Sequence, residues 1–178
     1  MRKLFTRSAL LFALTLLAAC STLDRSAAPT LDANAQWVVL PFANNTETPL
    51  AGSRAEAIAE GLLRSQGIAK LRRAPAALQQ DALFEPGDRK QQDAALAWAR
   101  EQGARYALGG SVDEWRYKVG VDGEPAVGIA LSIIDVASGE TLWNGVGGKS
   151  GWSREALSAV AQQLMRSLLG SALADRRN

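Results

Sequence analysis

The chain has 178 residues, with 20 Lys+Arg, 18 Asp+Glu, one cysteine and no histidine. This inventory excludes an intramolecular disulfide, histidine-based triads, most zinc sites and the usual acid–base catalyst of neutral pH. The sequence pI of about 8.9 is a property of the first residues. Without Arg2, Lys3 and Arg7 the 20 basic side chains become 17 against 18 acids, and nucleic acid is not an expected partner.

In chain order, Arg2, Lys3 and Arg7 form a basic start, residues 9–17 an apolar run, and Leu17-Ala18-Ala19-Cys20 a small-residue site ending in cysteine. This is the pattern of a lipoprotein signal peptide over residues 1–19, with Cys20 as the lipidation site. The apolar run falls short of the roughly 20 residues that a membrane span requires. Ser21 follows Cys20, in place of the aspartate that retains bacterial lipoproteins at the inner membrane. The expected location is therefore the outer membrane, lipid-anchored on its periplasmic face. Residues 20–35 are polar, alanine-rich and aperiodic, and read as a lipidated cysteine with a flexible tether. Residues 36–178 are then a single domain, long enough to bury a core.

That domain opens with the apolar strand Gln36–Phe42, expected to be buried on both faces. A polar loop, Asn44–Pro49, leads to a helix for which Thr48 is the expected cap and Pro49 a first-turn residue. Ala55, Ile58, Ala59, Leu62 and Leu63 form its apolar stripe, and Gly67 ends it. A weaker strand over 68–73 and a short helix over 76–83 precede the Glu85-Pro86-Gly87 break. Asp88 is the expected cap of a helix carrying Ala94, Ala95, Trp98 and Ala99, closed by Gly103. Tyr106–Leu108 enters the sheet, with a bulge or bend expected near Gly109-Gly110.

The meander from Ser111 to Gly151 is the most distinctive stretch. Trp115, Tyr117, Val119 and Val121 alternate with polar residues, so the spacing predicts one apolar and one charged face. Asp122-Gly123 predicts a hairpin turn. Val127, Ile129, Leu131 and Ile133 share one face of a central strand, with Ile134 and Val136 on the other. After the turn Ala137–Glu140, residues 141–146 return antiparallel, and a glycine-rich exit leads to Trp152. Ser153 is the expected N-cap of the last helix, whose Leu157, Val160, Ala161, Leu164, Met165, Leu168, Leu169 and Leu173 follow the helical period. The order βαβαβββα predicts an α/β two-layer sandwich with a mixed, mostly antiparallel sheet.

No set of residues demands an enzyme, a cofactor or a metal. Asp113 and Glu114 are adjacent on a strand and point to opposite faces. Asp122 and Glu124 flank a turn, where carboxylates are commonly solvated. Gly145, Gly147 and Gly148 match no nucleotide fingerprint. Trp37, Trp98, Trp115 and Trp143 lie in periodic elements and read as structural. Trp152 lies between glycine-rich chain and a helix start, and either packs over that start or stands exposed.

The runs Val39–Thr48, Val112–Gly120 and Val146–Glu155 closely resemble PelC, the outer-membrane lipoprotein family of bacterial Pel exopolysaccharide systems. The resemblance extends from about Trp37 into the last helix. The Val39-Leu40-Pro41-Phe42 start is generic and also resembles lipoproteins of the TolB-amino-terminal and curli-secretion type. The resemblance implies a non-enzymatic export component. It implies a dodecameric ring below the outer membrane that funnels a cationic amino-sugar polysaccharide toward the export β-barrel PelB. In that setting Trp152 is a membrane-facing aromatic against outer-membrane lipid. Asp122 and Glu124, followed by Asp113 and Glu114, are the candidate polysaccharide-guiding carboxylates. The alternative from another class is a monomeric periplasmic adaptor that uses the meander edge to bind or activate a protein partner.

Overall fold

The structure, a computed structural model, describes residues 21–75, 77–80, 88–120 and 123–177. Its elements are β1 (Ser21–Arg25), β2 (Leu31–Asp32), β3 (Trp37–Val39), β4 (Ala43–Asn44), α1 (Ala51–Ser65), β5 (Leu71–Arg73) and α2 (Ala77–Gln80). There follow α3 (Asp88–Glu101), β6 (Tyr106–Tyr117), β7 (Pro125–Asp135), β8 (Thr141–Ser150), α4 (Leu157–Ala172) and β9 (Arg176–Arg177). Seven strands form one sheet in the order β1-β8-β7-β6-β3-β5, with β4 also paired to β6. The pairs β1–β8, β8–β7 and β7–β6 are antiparallel, and β3 runs parallel to both β5 and β6. β2 and β9 make a separate parallel ribbon.

The expected α/β class with a mixed, mostly antiparallel sheet is what forms, and its side-chain periods explain how the helices are placed. In β3, Trp37 and Val39 face the larger core, while Val38 and the following Leu40 face a smaller one. The larger core joins α1 and α4 to the sheet through Leu62, Leu63, Leu164, Met165, Leu168 and Leu169. In β7, Val127, Ile129, Leu131 and Ile133 point into it, and Ile134 lies in the smaller core on the opposite face. That second core is covered by α3 through Ala95 and Ala99, with Leu96 and Trp98 at its edge. Because α3 presents mostly alanines, it covers only the end of the sheet around Val38, Ala107 and Val136. Gly67 and Gly103 follow α1 and α3 at φ of 89° and 66°, the left-handed conformation that ends helices.

Several local expectations give way to tertiary contacts. Residues 21–35, read as a tether, contain β1 on the edge of β8 and β2 paired to β9. Thr48 does not cap α1: its hydroxyl donates to the Trp115 carbonyl, and Leu50 takes the cap position at φ 61° without a side-chain bond. The buried Glu56 of α1 accepts the Phe42 backbone N–H at 2.9 Å, which fixes the chain between β3 and β4. The register shift in β6 falls between Val112 and Glu114, while Gly109 and Gly110 stay in regular pairing with Ser132 and Leu131. The apolar alternation of the first meander strand stops at Trp115: β6 ends at Tyr117, and Val119 is wholly exposed. Ser153 does not cap the last helix, which begins at Leu157 with Ala156 at the cap position. The Glu85-Pro86-Gly87 break, Val121 and Cys20 lie outside the described residues.

Candidate functional site

Four strand ends meet at one end of the sheet. The register pairs Tyr117 with Pro125, Ala126 with Ser150 and Ser21 with Lys149. The loop 118–124 is closed by the Lys118 N–H donating to the Glu124 carbonyl at 2.7 Å. Gly123 takes a positive φ of 52°, which glycine adopts without a steric cost. The Lys118 ammonium donates to the Ser150 hydroxyl at 2.7 Å and lies 3.9 Å from the Glu124 carboxylate. Val119, 102% exposed, projects from this loop. Asp122 lies outside the described residues.

Beside the loop, the chain leaves β8 through Gly151 into the turn that carries Trp152. Trp152 is 62% exposed, whereas Trp37, Trp115 and Trp143 are buried. The turn is tightly held. A Cβ on Gly151 would lie 2.5 Å from Glu155 Oε2, 2.5 Å from Val160 Cγ2 and 2.9 Å from Pro125 Cγ, so only glycine fits the observed packing. The Trp152 N–H donates to Glu155 Oε2 at 3.1 Å, and Gln163 donates to Glu155 Oε1 at 3.1 Å. A glutamate reaching back three residues to a backbone N–H is one half of a capping box, here without the serine half. Arg154 takes a left-handed φ of 68°, which separates this turn from α4. The first N–H of α4, from Leu157, donates to the Tyr117 hydroxyl at 3.2 Å, and that hydroxyl donates to the Glu155 carbonyl at 3.4 Å. A sheet residue thus satisfies the helix end that Ser153 was expected to satisfy. Tyr117 and Glu155 are the residues that sequence reasoning missed. The spacing of Trp152 and Glu155 carried a signal for one of them, and nothing local pointed to the other.

The other acids do not converge with Glu124. Asp113 sits at the β6 bulge and accepts hydrogen bonds from Asn45 Nδ2 at 2.7 Å and from the Ser111 hydroxyl at 3.2 Å. Glu114 pairs with Arg116 at 2.9 Å. Near Asn45 and Ser111, a cavity of about 230 Å³ is bounded by Leu40, Pro41, Ala95 and Gly109. Asp135, at the far end of β7, is held below the usual carboxylate range chiefly by the Ser138 backbone N–H. Burial opposes this as the second-strongest influence, and the Ser138 hydroxyl, the Ala137 N–H and the charge of Arg105 lower it further. Among the described residues no group of His, Cys, Asp and Glu could hold a metal ion, and no helix is long and apolar enough to cross a membrane.

No family model matches the chain, and no curated protein does. Solved structures do. A PelC dodecamer from Paraburkholderia phytofirmans is 42% identical, superposes with a TM-score of 0.75, and the match covers 89% of this chain and 100% of that one. A point variant of that PelC, also a dodecamer, is 42% identical with a TM-score of 0.73, covering 86% and 98% of the two chains. Lipoprotein GNA1162 from Neisseria meningitidis, 17% identical with a TM-score of 0.51 over 76% of this chain and 96% of that one, shares the fold. With 42% identity over the whole of a PelC chain, this protein belongs to the PelC family.

Proposed function

We propose that this protein is a non-enzymatic outer-membrane lipoprotein that assembles into a dodecameric ring. The ring guides a cationic amino-sugar exopolysaccharide toward a PelB export barrel. The observation that carries this reading is the 42% identity to a PelC that forms a dodecamer, over the full length of that chain. In this reading residues 1–19 are removed, Cys20 is acylated, and residues 36–178 form the ring subunit. Trp152 meets the lipid headgroups as an interfacial aromatic, which its 62% exposure and firmly held turn support.

Twelvefold repetition is what gives the acids their effect, since a summed field concentrates a cationic polymer where isolated exposed pairs do little. Asp122 and Glu124 are the first candidates and Asp113 and Glu114 the second. Ion pairing of Glu114 with Arg116 reduces its share of that field, and Lys118 near Glu124 does so more weakly.

The deciding experiment is the native mass of a soluble form that lacks residues 1–20. Twelve subunits are expected, and a monomer would favour the adaptor reading. On an assembled ring, reversing Asp122 and Glu124 to lysine is expected to abolish polymer export. Normal export from such a ring would remove those residues from the guiding role.

A further inference from the structure

We infer that β1 is a clasp that couples the lipid anchor to the Trp152 end of the sheet, so that the anchor positions that end against the bilayer. The inference rests on acylation of Cys20 as proposed above. Its basis is the register of β1. Among the described residues the pairing runs from Ser21, the residue after Cys20, opposite Lys149, through Leu23 opposite Gly147 to Arg25 opposite Gly145. Consecutive Cα atoms are about 3.8 Å apart, so the acylated residue is attached one step from Ser21, which pairs with Lys149 on the stretch of β8 that leads directly to Trp152. Were residues 21–35 a slack coil, their root-mean-square reach would be roughly 20 Å in any direction, and the anchor would set no orientation.

The edge of β8 is shaped to receive this strand. Gly147 carries no Cβ at a point where one would lie 2.8 Å from Leu23 Cδ2 and 2.8 Å from Leu164 Cδ1. Leu23 therefore crosses β8 and reaches the margin of the larger core, and it remains 37% exposed. At the far end of the clasp, the Ser26 N–H donates to the Asn144 carbonyl at 2.9 Å, and the Asn144 N–H donates to the Ser26 hydroxyl at 2.9 Å. All five residues of β1 are otherwise exposed. The strand is held by its ladder, one leucine and the Ser26–Asn144 lock, and a single substitution can release it while both cores stay packed. The end that it holds to the bilayer bears the exposed side chains of Trp152 and Val119.

The test uses the full-length acylated protein in vesicles of phosphatidylethanolamine and phosphatidylglycerol. A fluorophore is placed on Val119→Cys, the one free thiol once Cys20 is acylated, and lipid-borne quenchers report its depth. Alternation from the Ser26–Asn144 bond makes Asp24 a ladder donor, so Asp24→Pro releases β1. The native chain is expected to show slow exchange of the Thr22 and Asp24 amides and strong quenching of the Val119 label. Asp24→Pro should raise exchange at Thr22 and cut the quenching several-fold, with vesicle binding and the melting temperature unchanged. Leu23→Ser, which leaves every backbone donor in place, should give a smaller loss in the same direction. Unchanged quenching in Asp24→Pro alongside fast exchange in β1 would overturn the clasp, as would fast exchange of those amides in the native chain. Quenching of Trp152 is read separately: if the Val119 label depends on the clasp and Trp152 is unquenched, the membrane role of Trp152 falls and the clasp stands. An N-terminal peptide without acyl mass would remove both.

Discussion

The two ends of the sheet are built on different principles. Under α1 and α4 the packing is leucine, methionine and tryptophan, with Leu63, Leu168, Trp37 and Trp143 fully buried. At the other end the strands run past their helices, and position is set by hydrogen bonds: Tyr117 to Leu157, Glu155 to Trp152, Lys118 to Ser150. The first region resists change because interiors are close-packed. The second keeps large apolar and charged groups at the surface while fixing the backbone that carries them, which suits a contact surface better than a core.

Leu168→Ala should mark the first region most strongly, at about 2–5 kcal/mol of stability in a urea titration. The alanine core beneath α3 should respond less. Ala99→Gly is expected to lose about 1–2 kcal/mol, from helix propensity and one buried methyl group. Equal losses at the two sites would erase the difference between the cores. Gly151→Ala addresses the junction of the two regions. The added methyl must displace Val160 or Glu155, with an expected cost of about 1–3 kcal/mol and a change in acrylamide quenching of Trp152. Tyr117→Phe removes only the hydroxyl at the start of α4 and should cost about 1 kcal/mol, with faster exchange of the Leu157 amide. An unchanged Leu157 amide would mean that solvent caps the helix equally well.

The smallest effect belongs to Asp135, which anchors its turn at the end remote from Trp152. Its native pKa is lowered, so the stability it contributes is present above the unfolded carboxylate value and is lost as pH falls through the depressed native one. Asp135→Asn should be slightly less stable than the native chain at neutral pH, and the gap should close on acidification. A gap independent of pH would assign the effect to the turn geometry alone.

Much of the scaffold is legible without coordinates because burial imprints a period. Trp37-Val38-Val39 reads as a strand apolar on both faces, and it separates two cores. The stripe from Val160 to Leu173 reads as α4, and seven of its positions are buried core. The candidate site is less legible. Glu124 and Trp152 are marked by turn and glycine chemistry, and the structure places them at neighbouring strand ends. Tyr117 looks like the next core residue after Trp115 and is instead half-exposed, because β6 outruns the helices there.

Sequence by itself determined the elements whose burial leaves a period or an unbroken apolar run: β3, the meander, α1 and α4, and with them the family. Tertiary structure alone decided β1, the bulge at Asp113, the start of α4 and the seat of Trp152. Each of these is made by a partner distant in the chain, as Ser21 is by Lys149, Asp113 by Asn45 and Leu157 by Tyr117. A strand exposed along its length, such as β1, buries no stripe and leaves no period to read. Its pairing exists only once the β8 edge has been built beside it.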